Sequence, residues 1–398
     1  MAAILIMTTK TNRSVSHPRR VSGFFTTITT ILVALMAHQA AASPFAAVLP
    51  TSRSVEVDAT ATVFATILNP DDVTATNCAI EPASTQDADF FFQTTDPATN
   101  ALTGTINTAV DIPAGGSQSF LIGMVPRSEF GPFNVEFAFF CGNTGAAPVL
   151  EAINTLLLSG SATPPADVVA VALTATNNGI ANIPRESGFG FMSVATTNVG
   201  TADTITAQPV DIAGLDGTVL ICETDQTTGT CLADPAASTT RAIPMDGTAT
   251  YSVFMSSATR VPLDAFLRRI SLEFRDSAGT IRGRTGTAVA GGGPSALTYF
   301  TNNVADQIIQ NTCVACHTVG GEAQNTGLVF VEDVVAGYQL TNKMELGSWL
   351  SEDPANSDVL LDRAAGGSGH PQIVAPGGAE IATLTEATFL ILTDTDKD

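Results

Sequence analysis

Short apolar runs separated by turn residues fill the central part of the chain. Between residues 43 and 293, runs rich in Val, Thr, Phe and Ile alternate with Gly, Pro, Asn and Asp. The first group of residues favours strands and the second favours turns, so this region is predicted to form many short β-strands. Strands that recur roughly every 8–12 residues are typical of a β-sandwich.

The β-rich region carries an internal repeat. Residues 92–99 are similar in residue type to residues 222–228. Residues 111–117 are likewise similar to residues 242–248, at nearly the same offset along the chain. A repeat of this kind indicates that one structural unit occurs twice. We therefore predict two copies of one sandwich.

Each copy opens on a strand that ends in Asn before a turn, at residues 61–70 and 191–200. These stretches resemble the immunoglobulin-like modules that are common in bacterial cell-surface and adhesion proteins. We predict one β-sandwich domain at residues 43–163 and a second at residues 164–293. Two prolines and a lack of apolar periodicity mark residues 161–166 as the linker between them.

The apolar spacing changes to that of helices towards the C-terminus. Val304, Ile308 and Ile309 recur at helical spacing, and Asn302 and Asn303 can cap the start of this helix. Three more helical patterns follow, at residues 334–350, 357–365 and 379–392. Residues 294–398 are therefore predicted to form a small all-α domain, and the glycine run at residues 291–293 predicts loose coupling of that domain to the second sandwich.

Charge and composition narrow the class of protein. Hydrophobic residues make up 44% of the chain, which excludes a disordered protein. Asp and Glu number 38 against 17 Lys and Arg, so the formal net charge is −21. Little positive charge is left to neutralise phosphates, which makes nucleic acid an unsuitable partner, whereas a protein with a basic docking patch would be attracted.

The first 42 residues have the pattern of an export signal. Four basic residues between Lys10 and Arg20 precede a largely apolar stretch at residues 24–37, and small residues ending at Ala42 follow. This order predicts a secretory signal peptide at residues 1–42 and a place in the periplasm or on the surface of a bacterium. A single anchoring helix is the alternative. The apolar stretch is short and Thr-rich for a membrane span, so none is expected after cleavage.

Six cysteines remain in the mature chain and divide into three pairs. Cys78 and Cys141 lie on an early and a late strand of the first sandwich, which can face each other across its core. Cys222 and Cys231 flank a short segment that is typical of a hairpin. In an oxidising compartment each pair is predicted to form a disulfide, with buried free thiols as the alternative.

The third pair belongs to the motif Cys313-Val314-Ala315-Cys316-His317. This C-x-x-C-H spacing is the attachment site of a c-type haem, in which two thiols bond to the porphyrin and the His supplies the proximal nitrogen to iron. Residues three apart on a helical turn project to the same side, so the three side chains can meet one flat macrocycle. A zinc site would need two further ligands nearby and a thioredoxin-like motif a βαβ setting, and the sequence has neither. One covalently attached haem c is therefore predicted.

The residue on the other face of the iron is less constrained by the sequence. His370 is the only other His of the mature chain and follows a glycine-rich loop, which can approach a flat ligand closely. Met344, the only Met of this region, is the alternative ligand, although it sits inside a helical pattern where Met usually fills the core. An open coordination position is the third possibility.

Residues 297–398 resemble a class I cytochrome c domain, with C-x-x-C-H near the first helix and a final C-terminal helix. The segment departs from that family's usual pattern because no Met follows a Pro in a late loop. The predicted fold is thus two all-β immunoglobulin-like sandwiches followed by a small all-α cytochrome c domain at residues 294–398.

The resemblance implies outer-sphere transfer of one electron, with the sandwiches as positioning or docking domains and another protein as redox partner. Such a protein has no substrate site of its own and is not itself an enzyme. The alternatives are a surface adhesion or assembly protein with a secondary haem domain, and the haem subunit of a larger redox enzyme.

Overall fold

The computed structural model describes residues 43–186 and 188–393. The predicted signal peptide at residues 1–42 lies outside the described residues. No helix in the described part of the chain is both long enough and apolar enough to cross a membrane.

The first nine strands form two sheets that enclose one hydrophobic core. Their bounds are β1 Phe45–Leu49, β2 Ser52–Glu56, β3 Ala61–Leu68, β4 Ala75–Pro82, β5 Ala88–Thr95, β6 Val110–Ile112, β7 Ser117–Pro126, β8 Phe130–Phe140 and β9 Thr155–Ser161. One sheet has the order β1-β3-β7-β5 and the other has the order β2-β9-β8-β4-β6. All of these pairs are antiparallel except β2 with β9.

The next nine strands repeat this arrangement around a second core. Their bounds are β10 Val168–Thr174, β11 Ile180–Ile183, β12 Gly190–Asn198, β13 Asp203–Asp211, β14 Val219–Thr224, β15 Thr239–Ile243, β16 Thr248–Met255, β17 Arg269–Arg275 and β18 Ile281–Gly291. The sheet orders are β10-β12-β16-β14 and β11-β18-β17-β13-β15, and the one parallel pair is again the equivalent one, β11 with β18. The repeat in the sequence therefore corresponds to a repeated topology.

Alternation of side chains explains why these segments form sheets. Along β3 every second residue from Ala61 to Ile67 is buried, while the residues between them are exposed. A period of two places one set of side chains on the core face of a strand and the other set in solvent. β12 has the same alternation at the equivalent place in the second half.

A buried Asn holds the same turn in each half. The side-chain amide of Asn69, at the end of β3, donates to the carbonyl of Pro113 at 3.0 Å, and that of Asn198, at the end of β12, donates to the carbonyl of Pro244 at 3.4 Å. Both Asn residues are at most 1% exposed. Buried amides are stable only when they are hydrogen-bonded, so each one fixes its turn to the end of its strand.

Buried charge joins the two β halves. The Asp167 carboxylate, just before β10, accepts from Arg53 Nε at 2.9 Å and from the backbone amide of Ser54 at 2.9 Å. Burial raises the pKa of Asp167, and the nearby Arg53 opposes that effect. The two halves are therefore in direct polar contact across the predicted linker.

Four short α-helices and one π-helix follow β18. They are α1 Ala296–Phe300, the π-helix Thr301–Cys313, α2 Tyr338–Glu352, α3 Asn356–Ala364 and α4 Ala379–Thr393, with one 3₁₀ turn at Gly367–Gly369. We refer to residues 294–393 as the helical region. Its core includes Phe300, Phe330, Leu346 and Leu384.

The glycine run before this region is not a loose linker, contrary to the sequence-based expectation. The amides of Gly291, Gly292 and Gly293 donate to the carbonyls of Val261, Ile183 and Ser257 in the second β half. A β-carbon on Gly293 would lie 2.9 Å from the backbone nitrogen of Arg260, closer than such atoms approach. Glycine is thus used here to bring two backbones together rather than to separate two domains.

The second β half also contacts the helical region through side chains. Arg260 donates to both carboxylate oxygens of Glu386 in α4 at 2.8 and 3.2 Å, and its guanidinium lies 4.2 Å from the ring centre of Phe389. Arg185 donates to Thr393 at the end of the same helix at 2.8 Å. α4 is therefore held by the β half as well as by the other helices.

The prediction of a distinct all-α cytochrome c domain is wrong. Strands account for 39% of the structure and helices for only 17%, so the protein is mostly β with four sheets and a small helical region. The glycine contacts and the arginine contacts to α4 tie this region to the second β half. Helical spacing in the sequence located most of the helices, but it carries no information on whether they pack separately.

Candidate haem site

The C-x-x-C-H motif lines a cavity of about 730 Å³ in the helical region. Cys313, Cys316, His317 and His370 are all among its lining residues. Cofactor sites typically have volumes of about 300–1,000 Å³ and largely apolar walls. Most other lining residues are apolar, such as Ile308, Ile309, Leu328, Phe330, Leu346, Trp349, Leu360 and Leu384.

The helix that carries the first cysteine begins earlier than the sequence predicted. Ser295 Oγ accepts from the amide of Thr298 and caps α1, so Asn302 and Asn303 lie within the helical stretch rather than at its start. The chain continues from α1 into the π-helix without a break, and Cys313 is its last residue. π-helices are often found next to functional sites.

A single tight turn brings the three motif side chains together. The amide of His317 donates to the carbonyl of Cys313 at 2.8 Å, and that of Cys316 to the same carbonyl at 3.2 Å. Cys313, Cys316 and His317 all line the same cavity.

The imidazole of His317 is fixed by a backbone carbonyl. Its Nδ1 lies 2.9 Å from the oxygen of Leu328. A carbonyl oxygen only accepts hydrogen bonds, so Nδ1 carries a proton, and in the neutral imidazole Nε2 is then the nitrogen with the lone pair. Metal-binding His residues commonly use this arrangement, in which one ring nitrogen is oriented while the other binds the metal.

His370 approaches the cavity from the loop after α3. Gly366 has a φ of +91°, which favours glycine, and Ser368 has a φ of +53°, so the chain reverses sharply before His370. His370 Nδ1 lies 2.7 Å from the carbonyl of Pro371 and therefore also carries its proton. In the neutral form of each histidine, the lone pair is on Nε2.

The two imidazoles are separated by a distance that suits one metal ion between them. The ring centres of His317 and His370 are 6.2 Å apart, and the ring planes are tilted by 33°. Two imidazoles on opposite sides of one metal place their ring centres roughly 6 Å apart, since each bond is about 2 Å and each centre lies about 1 Å behind its nitrogen. The residues present therefore fit a haem iron with two His ligands.

Met344 lies elsewhere. Its side chain is 62% exposed on α2 and does not line the cavity. Asn342, Leu346 and Leu350 form the buried face of that helix, and Met344 projects away from it. The structure thus brings together four of the five predicted haem residues and leaves out the Met.

Neither cysteine of the motif belongs to a disulfide, and both are half-buried. Burial, and then the neighbouring Cys316, raises the pKa of Cys313 to about 12, so its thiol is protonated at neutral pH. A thioredoxin-like cysteine has a lowered pKa instead.

Residues 43–186 and 188–393 hold no group of three or more His, Cys, Asp or Glu side chains arranged to bind a metal ion. A zinc site needs about four such ligands. A haem iron takes four nitrogens from the porphyrin, so two histidines are enough.

The other four cysteines form two disulfides. Cys78 of β4 bonds to Cys141 just after β8, with Cα atoms 3.9 Å apart. β4 and β8 are neighbours in one sheet, so this bridge does not cross the core as the sequence had suggested. Cys222 bonds to Cys231 with Cα atoms 5.6 Å apart, where Thr224 pairs with Cys231. Both bridges are compatible with a secreted or periplasmic protein.

The side chains that hold Val331, in the segment after His317, were not apparent in the sequence. Asn342 of α2, 0% exposed, accepts from the amide of Val331 at 2.8 Å and donates to its carbonyl at 2.9 Å. Gln310 of the π-helix donates to the same carbonyl at 2.8 Å. Neither residue has a chemical signature in the sequence, because their partners are backbone atoms.

No protein-family model matches the sequence, and the comparison with curated proteins finds no match either. Among solved structures, the chain is similar to a family 123 glycoside hydrolase from Clostridium perfringens at 9% identity and a TM-score of 0.21, covering 36% of this chain and 30% of that one.

Two further structures give similar values. A secreted serine protease from Vibrio cholerae matches at 9% identity and a TM-score of 0.19, over 62% of this chain and 50% of that one. A chaperone–tip adhesin complex of CFA/I fimbriae matches at 10% identity and a TM-score of 0.18, over 61% and 97%. The chain thus spans half or less of the first two proteins. At these TM-scores the likenesses carry no argument about fold or function.

Proposed function

We propose that this chain is an exported electron-transfer protein that carries one haem c. Cys313 and Cys316 would hold the haem through two thioether bonds, and His317 and His370 would each supply a nitrogen ligand to its iron. When bound there, haem c supplies transfer of single electrons between its ferrous and ferric states.

The observation that carries this proposal is the pairing of the two histidines beside the motif. C-x-x-C-H alone is a short pattern, but here its cysteines line the same cavity as two imidazoles 6.2 Å apart. Each imidazole donates its Nδ1 proton to a backbone carbonyl, which leaves both Nε2 atoms available as ligands. Four predicted residues from two separate segments thus meet in one place.

The residues around the site suit electron transfer rather than conversion of a substrate. If His317 and His370 both bound the iron, they would leave no coordination position for a substrate. Phe330, Leu346 and Leu384 are buried apolar side chains of the cavity wall.

The charge of the helical region suits a basic partner protein. Residues 294–393 contain eleven acidic side chains but only Lys343 and Arg363 as basic ones. Opposite charge speeds the encounter of two proteins and fixes their orientation. We infer that the redox partner docks here through a basic patch.

The β halves position this region. Arg260 and Arg185 of the second half hold α4, and Leu384 of α4 lines the cavity. The cavity is therefore held at a fixed place on the β scaffold. With the predicted signal peptide, this arrangement suits a protein that works in the periplasm or at the cell surface of a bacterium.

The proposal is tested by producing the full chain in a bacterium that exports proteins and attaches c-type haem, and measuring the intact mass and visible spectrum. The purified protein should be heavier than the mature polypeptide by one haem. Cys313→Ser combined with Cys316→Ser should lose that mass, whereas Cys222→Ser combined with Cys231→Ser should keep it. A wild-type protein without covalent haem would overturn the proposal and favour the surface-adhesion alternative.

A further inference from the structure

One peptide group connects His317 to a carboxylate. The carbonyl of Leu328 accepts from His317 Nδ1 at 2.9 Å, and the amide of Val329, which belongs to the same peptide group, donates to Glu345 Oε1 at 3.1 Å. The path from the imidazole to the carboxylate thus runs through two hydrogen bonds and one planar peptide.

A carboxylate at the N–H side of a peptide changes its C=O side. The peptide bond is delocalised, so a negative charge near the N–H draws that proton and increases the electron density on the oxygen. The Leu328 carbonyl then becomes a stronger acceptor for His317. Where a carboxylate accepts directly from a metal-binding His, it makes that His a stronger donor to the metal.

The peptide is held so that this geometry is fixed. Next to it, Asn342 makes hydrogen bonds to both the amide and the carbonyl of Val331. The amide of Phe330 donates to the carbonyl of His317 at 2.6 Å. Phe330 and Val331, which follow the Leu328–Val329 peptide, are thus tied to the motif and to α2, and these bonds limit the freedom of the peptide to turn away from Glu345.

We propose that Glu345 is a positioning residue that makes His317 a stronger donor to iron through the Leu328–Val329 peptide, and so lowers the reduction potential. The inference rests on the proposed function. Glu345 does not line the cavity, so its effect is carried by the peptide rather than by contact with the cofactor.

The test compares Glu345→Gln with Glu352→Gln in the haem-loaded full chain. Glu352 lies further along α2 and supplies the matched loss of one negative charge from the same helix. At a fixed applied potential near the midpoint, Glu345→Gln should raise the ratio of ferrous to ferric protein about threefold to tenfold, a shift of roughly 30–60 mV at 59 mV per tenfold. Glu352→Gln should change the ratio less than twofold. Equal shifts in the two variants would overturn the proposal.

A second variant distinguishes an effect carried by the Leu328–Val329 peptide from the effect of the negative charge alone. Glu345→Asp keeps the charge but shortens the side chain, so it withdraws the carboxylate from Val329. If the peptide carries the effect, the reduction potential of Glu345→Asp should shift towards that of Glu345→Gln. The Val329 amide should also exchange its hydrogen faster in both variants. A wild-type potential for Glu345→Asp despite faster exchange would contradict it. A wild-type chain without haem would instead be a failure of the proposed function, which the intact mass detects beforehand.

Discussion

The imidazole of His317 faces the imidazole of His370 across one cavity, with ring centres 6.2 Å apart and both Nδ1 atoms bonded to backbone carbonyls. His317 belongs to the turn after the π-helix, and His370 follows a glycine-rich loop after α3. Two segments distant in the sequence thus bring two imidazoles to one cavity. The proposal that one iron is held between two histidines rests on this relationship.

Substitution of His370 should open one axial position. In His370→Ala the ferric iron should change from low spin towards high spin, the reduction potential should rise, and the ferrous form should bind carbon monoxide. Visible spectra with and without carbon monoxide measure this change. Met344→Leu is the control, since an exposed Met on the outer side of α2 can be replaced by a side chain of similar volume with little effect.

The opposite pattern would transfer the ligand role to Met344. If Met344→Leu changed the spin state while His370→Ala left it intact, His370 would be an ordinary loop residue.

Removal of the buried Asn198 should destabilise the second β half. Its side-chain oxygen accepts from the amide of Asp167 at 3.0 Å, and its nitrogen donates to the carbonyl of Thr201 at 2.7 Å. Asn198→Ala leaves the buried amide of Asp167 without its partner, so the free energy of unfolding should fall by about 2–3 kcal/mol in urea titrations.

Asn178 provides the matched control, because its side chain lies in an exposed turn and accepts from the amide of Ile180 at 2.9 Å. Asn178→Ala should lower the free energy of unfolding by less than about 1 kcal/mol. Equal costs for the two substitutions would show that the buried amide of Asn198 does not hold its turn.

Tyr251 should make stability decline at high pH. The residue is 1% exposed, and burial, followed by the charge of Glu223, raises its pKa to about 12. Tyr251 therefore stays protonated to a higher pH in the folded protein than in the unfolded chain. Its contribution to the free energy of unfolding is complete below about pH 10 and is lost as the pH rises from about 10 to 12. The total contribution to the free energy of unfolding is about 3 kcal/mol.

Tyr251→Phe removes that contribution. Within the described part of the chain, the Tyr251 hydroxyl has no hydrogen-bond partner. The free energies of unfolding of the wild type and Tyr251→Phe should therefore differ by less than about 1 kcal/mol at pH 8. The free energy of unfolding of Tyr251→Phe should then decline less steeply than that of the wild type above about pH 10. Parallel alkaline profiles would rule out a buried, titrating Tyr251.

Local features of the fold were predictable from the sequence. The alternation of Ala61 to Ile67 indicates a strand with one buried face, and the repeated Asn69 and Asn198 each mark the end of a strand. The spacing of Cys313, Cys316 and His317 also acts locally, because one turn brings these side chains to the same side. Short-range geometry is sufficient for such features.

Features that depend on packing were not predictable. Asn302 and Asn303 are good caps by composition, but the hydrogen bond that starts the helix comes from Ser295. Gly291 to Gly293 have the composition of a flexible linker, yet their amides bind the second β half, which joins the helical region to it. The role of Glu345 depends on a contact with a backbone amide, and no sequence pattern records such contacts.

The central claim is that His317 and His370 occupy both axial positions of one covalently attached haem. The electron paramagnetic resonance spectrum of the ferric, exported wild-type protein tests it most directly. The account predicts a single low-spin species with no high-spin signal at neutral pH, because two imidazoles give a strong ligand field. A dominant high-spin signal, or a protein with no haem signal at all, would contradict it.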